Sequence, residues 1–193
     1  MWRGLETWIC PALSMVSSII KIVGGLVSGS IALLADGLDS LINILSSTIA
    51  YAFYSISIKP PDRDHPYGHY GFEILSVIIT SIIMLFVAAI IVSTVFTKSV
   101  SRVRSEGILY SLISTIILVA ITFYTLLYSK KARSIALRAE ARHLSIDLVE
   151  SLLVLLGVVL AVYFNPLFDL ITAALVASLM VAGALFNLSL IHI

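Results

Sequence analysis

The sequence predicts an all-α polytopic membrane protein, a bundle of six transmembrane helices. Three observations predict it. The chain is 60% hydrophobic and only 12% charged, with a mean hydropathy of +1.08, values a soluble globule does not carry. Six apolar stretches each approach the ~20 residues a helix needs to cross a bilayer. The separators between them are short and polar, and no stretch shows the alternating polarity of a transmembrane β-barrel.

Taken in order, the predicted spans are Trp8–Val27, Ser30–Ile56, Ile74–Phe96, Gly107–Tyr128, Leu144–Phe164 and Leu167–Phe186. The first carries Pro11 and Lys21, has only Arg3 before it and lacks a small-residue cleavage pattern, so it reads as a retained helix and not a signal peptide. Ser28-Gly29 makes the first connection almost a hairpin. Lys59-Pro60-Pro61-Asp62 ends the second helix, because consecutive prolines cannot continue one. Asn165-Pro166 separates the fifth span from the sixth in the same way.

Twelve basic against eleven acidic residues leave a net charge of +1, with no polybasic footprint for nucleic acid. The single cysteine, Cys10, excludes an intrachain disulfide and a thiolate cluster. Loop charges set an expected orientation. Arg3, Lys59, Arg63, Lys130, Lys131, Arg133 and Arg138 fall on one side, and Lys98, Arg102 and Arg104 on the other. The excess places the first side, with the N-terminus, in the cytoplasm.

The ionisable residues at membrane depth are Lys21, Asp36, Asp39, His143, Asp147 and Glu150. A charge at mid-bilayer costs ~2.5–3.5 kcal/mol even on the insertion scale, so such groups face a bundle interior or a wet cavity. Any one of them is explained equally well by a helix-packing hydrogen bond, and Asn43 alone is more simply a bridging amide. The combination is more specific. Asp39-x-x-x-Asn43 and His143-x-x-x-Asp147 are two polar i,i+4 couples about a hundred residues apart. Residues four apart lie ~40° apart around a helix and ~6 Å along it, so each couple presents two donors to one point. Two carboxylates, an amide oxygen and an imidazole suit a divalent ion, tetrahedral zinc or, with the amide replacing a stronger donor, harder ions such as manganese or iron. The carboxylates balance the ion's charge, and without it the same lone pairs are expected to collect protons.

Three motifs in order carry a family resemblance. Ser28-Gly29-Ser30-Ile31-Ala32-Leu33-Leu34-Ala35-Asp36-Gly37-Leu38-Asp39-Ser40 looks like a helix-two signature, and His143-Leu144-Ser145-Ile146-Asp147 a helix-five signature. Between them Lys59-Pro60-Pro61-Asp62-Arg63-Asp64-His65-Pro66-Tyr67-Gly68-His69, followed by Glu73, resembles a Pro-x-Asp-x-x-His-x-x-Gly-His loop. The sequence resembles the cation diffusion facilitators, metal-proton antiporters with six transmembrane helices. The resemblance implies that Asp39, Asn43, His143 and Asp147 hold a transported divalent ion (zinc, manganese, iron or cobalt), with no resident cofactor. It also implies a homodimer in a membrane, expected here to be a prokaryotic plasma membrane. The departure is Asn43, where relatives commonly carry Asp. Asp36, one turn earlier, is ranked as a neighbour of the ligands that is able to substitute. Glu150, one turn beyond Asp147, reads as a proton-path residue or as a packing contact. Asp62, His65 and His69, at i, i+3 and i+7, form a candidate second metal site, of the kind some members carry in this loop. Ligands that must lose protons to bind metal predict exchange of metal for protons as helices two and five re-expose the site.

Residues 188–193 are what the nucleotide string CTGTCTCTTATACACATC encodes, which looks like a transposon-based sequencing adapter. The expectation is a transport domain over residues 1–187, a non-native tail in which His192 has no ligand role, and a missing cytoplasmic α+β domain of the kind family members carry. Two other function classes remain. An intramembrane metal-dependent hydrolase lacks support from any His-Glu-x-x-His helix, paired catalytic aspartates or Ser/His motif. A proton or cation channel lined by helices two and five predicts conductance without saturable metal exchange.

Overall fold

The structure is a computed structural model and describes residues 6–62, 66–97, 102–132 and 135–189. Within them the chain forms six helices: α1 (Glu6–Ser28), α2 (Ile31–Ser57), α3 (Gly71–Thr97), α4 (Glu106–Ala132), α5 (Ile135–Tyr163) and α6 (Leu167–Ser189). All six are long and apolar enough to cross a membrane, and the described residues contain no strand. The protein is an integral membrane helix bundle.

The predicted breaks fall where the prolines stand: α2 stops before Pro60-Pro61, and Asn165-Pro166 lies between α5 and α6. The largest difference from the sequence reading is α5, which begins nine residues before Leu144. Hydropathy ends a span at the first charges, but Ala136-Leu137-Arg138-Ala139-Glu140-Ala141-Arg142 consists of strong helix formers. Helix therefore continues past the apolar segment, and His143 lies inside it. α4 likewise runs on through Lys130-Lys131 to Ala132, and α6 to Ser189. His192 and the rest of residues 190–193 lie outside the described residues.

Three connections meet at one end of the bundle. Gly29, at φ +75°, turns α1 into α2 with a backbone conformation that L side chains rarely adopt. Ser30 caps α2, its side chain accepting from the Leu33 amide at 3.1 Å. From the start of α6, the Asp169 carboxylate accepts from the Ile31 amide at 2.7 Å, the Ala32 amide at 3.3 Å and the Ser30 hydroxyl. An anion thus sits on the positive end of α2. The Arg104 amide, just before α4, donates to Ser28 O at 3.0 Å.

Beneath this end lies the main core, built from Ile31, Leu33, Ile91, Val154, Val158 and Val176 with neighbouring alanines. A smaller apolar cluster, Leu118, Ile121 and Leu144, joins α4 to α5 towards the other end. Packing is uneven along α2, where no residue beyond Ile42 is buried. The bundle is tight at the Ser28 end and looser at the Lys59 end. Outside, large apolar side chains such as Leu109, Ile116, Phe123, Leu156 and Phe186 are exposed, as expected of a lipid-facing surface. Of the small residues in α6, Ala173, Ala177 and Ala184 are fully buried within this chain, so they serve internal packing, while Ala174 is exposed.

Glycines set the helix spacing. A Cβ at Gly37 would stand 2.8 Å from the Ile22 backbone, and one at Gly157 2.2 Å from Thr172 Oγ1. At Gly25 it would stand 2.6 Å from the backbone N of Leu34. Helix propensity favours Ala over Gly by about 1 kcal/mol. A backbone clash that forces α1 and α2 apart costs about 1–3 kcal/mol and outweighs it. Gly25→Ala is therefore expected to lower the melting temperature in detergent, whereas Gly71→Ala, which meets nothing within 4 Å, is not.

Candidate metal centre

The two predicted couples form, each on its own helix. On α2 the Asn43 amide donates to Asp39 Oδ2 at 3.1 Å, with Asp39 only 7% exposed. On α5, His143 Nε2 lies 3.7 Å from Asp147 Oδ2. Asp147 is half-buried, whereas the His143 side chain is 46% exposed, on the loosely packed Lys59 side. α2 and α5 touch, and Asp39 and Asp147 lie within electrostatic reach of each other across that contact. Among the described residues, however, no three His, Cys, Asp or Glu side chains gather around one point. The couples lie on touching helices without closing on one point.

One turn towards the Ser28 end two of the ionisable residues at membrane depth form a pair the sequence did not disclose. Lys21 of α1 is 1% exposed, and its ammonium donates to Asp36 Oδ1 at 2.8 Å, to Ser151 Oγ at 2.7 Å and to Ser40 Oγ at 3.1 Å. The Ser151 hydroxyl also reaches both Asp36 oxygens, at 3.3 and 3.2 Å. This network joins α1, α2 and α5. A buried ion pair of this kind holds only when its remaining donors and acceptors are met, and here the two serines meet them. Lys21 and Asp36 stand eight residues before and seven after Gly29, so a hairpin places them level. That near-symmetry about the hairpin is the sequence signal that could have revealed the pair. The carboxylate of Asp36 is thereby occupied and stands as a tether beside Asp39.

Glu150 is also buried, at 8% exposed, and its Oε1 accepts no hydrogen bond. Asp39, Asp36 and Asp147 lie within its electrostatic reach. Asp169, inside the apolar sixth span, has the structural role of capping α2.

In the loop after α2, His69 Nε2 lies 3.5 Å from Asp62 Oδ2. His69 is buried and stacks on Phe72 at 5.9 Å between ring centroids, beside Gly68 at φ +89°. Two of the three proposed ligands are thus adjacent, and His65 lies outside the described residues.

Six membrane-crossing helices, with ionisable groups drawn inward between the second and fifth, define a polytopic membrane protein built around a polar intramembrane site. The sequence profile of the cation efflux transmembrane domain matches residues 8–189, and the chain belongs to the cation efflux (cation diffusion facilitator) family. It is 33% identical over 189 residues to an uncharacterized transporter of Methanocaldococcus jannaschii, covering 94% of this chain and 66% of that protein. It is also 33% identical over 187 residues to the manganese efflux system protein MneP of Bacillus subtilis, covering 92% and 63%. To the magnetosome protein MamM of Magnetospirillum gryphiswaldense it is 31% identical over 163 residues, covering 82% and 51%. The chain spans less than two thirds of the length of each of these relatives.

Proposed function

We propose that this protein exports a divalent transition-metal cation of the zinc, manganese, iron or cobalt class in exchange for protons. The ion is held between α2 and α5 by Asp39, Asn43, His143 and Asp147. The observation that carries the reading is a buried Asp39 on α2 within electrostatic reach of Asp147 on the touching helix α5, each beside a second donor one turn away. Family membership supports transport over intramembrane hydrolysis. The likeness to the manganese efflux system protein MneP, and a donor set with three oxygens to one nitrogen, favour a hard ion.

Exchange follows from competition, because imidazole and carboxylate ligands must release protons before they coordinate a metal. Exposure of His143, together with the unburied half of α2, supports a site accessible from the Lys59 end in this conformation. By the loop-charge bias that end is cytoplasmic, with the N-terminus on the same side, in a prokaryotic plasma membrane. Tilting α2 and α5 about the tightly packed Ser28 end then presents the ion to the other side. Homodimerisation completes the proposal, and Asp62, His65 and His69 form a regulatory or structural metal site in the loop after α2.

The test is His143→Ala in proteoliposomes, with metal uptake and internal pH read together. Flux is expected to fall by more than about tenfold, since even partners that only orient a ligand are worth 10–100-fold. Unchanged metal flux in this variant would remove His143 from the site. A channel would instead pass current without saturable exchange.

A further inference from the structure

The starting point is a shortage. Of the four donors proposed for the ion only Asp39 and Asp147 are carboxylates, Asn43 offers a neutral amide, and Asp36 is bound to Lys21 and Ser151. Among the other acids, the buried Asp39 accepts from Asn43, the half-buried Asp147 is near His143, and the buried Asp169 caps α2. Glu150 differs from all of them. Its Oε1 is the only buried carboxylate oxygen among the described residues without a hydrogen-bond partner. Leaving such an atom unmet costs about 1–3 kcal/mol, a cost that an apolar residue at this position would avoid.

Its placement is specific. His143, Asp147 and Glu150 stand at i, i+4 and i+7, a single stripe along α5. Asp39 on α2 lies within electrostatic reach of Glu150, as do Asp36 and Asp147. Glutamate also reaches one methylene further than aspartate. We propose, building on the transport site described above, that Glu150 is a metal ligand and supplies the third carboxylate that the neutral amide of Asn43 does not. It thereby turns the site towards hard, oxygen-preferring divalent ions of the manganese type. The side chains do not converge as they stand, so Glu150 joins the set when α2 and α5 draw together around the ion. Several carboxylates around one hard cation is a common arrangement, whereas structural zinc is satisfied by four donors rich in nitrogen or sulfur.

The experiment uses the full chain in lipid nanodiscs, titrated with MnCl2 and, separately, ZnCl2, with thermal melting of every variant. Glu150→Gln is expected to weaken Mn2+ binding by about tenfold or more and Zn2+ by less, in the range seen when metal-site groups are removed. Adding Asn43→Asp to Glu150→Gln is expected to restore Mn2+ affinity, a rescue that a purely structural role would not produce. Unchanged Mn2+ affinity in Glu150→Gln overturns the proposal. So does a loss that tracks melting temperature and is not rescued. Asp39→Asn separates the two levels. If it loses Mn2+ binding while Glu150→Gln keeps it, the inference about Glu150 falls alone. If it keeps Mn2+ binding, the α2–α5 site falls as well.

Discussion

Asp39→Asn is expected to reduce metal transport in proteoliposomes by more than about 100-fold, while leaving the fold intact. The estimate starts from metal-site partners that merely orient a ligand, which are worth 10–100-fold, and a direct anionic ligand should exceed them. The substitution is nearly isosteric, so the packing around a side chain only 7% exposed is kept. What changes is charge: a divalent ion entering from water must recover its lost hydration from anionic donors, and an amide does this poorly. Uptake of radiolabelled or dye-reported Mn2+ checks the result. Transport at half the wild-type rate or better would place the ion elsewhere.

Lys21→Met is expected to have the largest effect on stability. Removing the ammonium leaves Asp36 buried among helices with only serine hydroxyls to serve it. Breaking one partner of a buried pair costs about 3–5 kcal/mol. For a chain of this size that corresponds to a fall in melting temperature on the order of 10 °C. The sign reverses when both charges go. Lys21→Met combined with Asp36→Leu removes the uncompensated carboxylate, and buried pairs replaced by apolar residues are often neutral or stabilised. Melting of the purified protein in detergent therefore separates the two outcomes. A single variant as stable as wild type would show that the pair contributes nothing to the bundle.

The six spans were readable because hydrocarbon thickness imposes a length and prolines impose the stops, both of which are local. The start of α5 was misplaced because its first turns are charged yet strongly helical, and hydropathy answers only to charge. The i,i+4 couples were readable for the same local reason as the spans. Whether they close around one ion depends on the spacing of α2 and α5, which no single-helix pattern encodes. Lys21 and Asp36 were each noticed, but their pairing required the register of the α1–α2 hairpin. Asp169 was unreadable as a cap, since the helix it serves begins 138 residues earlier. Asn43 was legible as the amide among the four donors, whereas the buried, unpartnered Oε1 of Glu150 was not, because its burial depends on how the helices pack.

The most direct test of metal-proton exchange uses proteoliposomes loaded with a pH-sensitive dye and challenged with external MnCl2 in the absence of a pH gradient. Metal entry should be matched by proton exit, seen as alkalinisation of the lumen, and both signals should vanish together in Asp39→Asn. Saturable Mn2+ entry with no change in lumen pH, or a proton flux that persists in Asp39→Asn, would contradict exchange at this site.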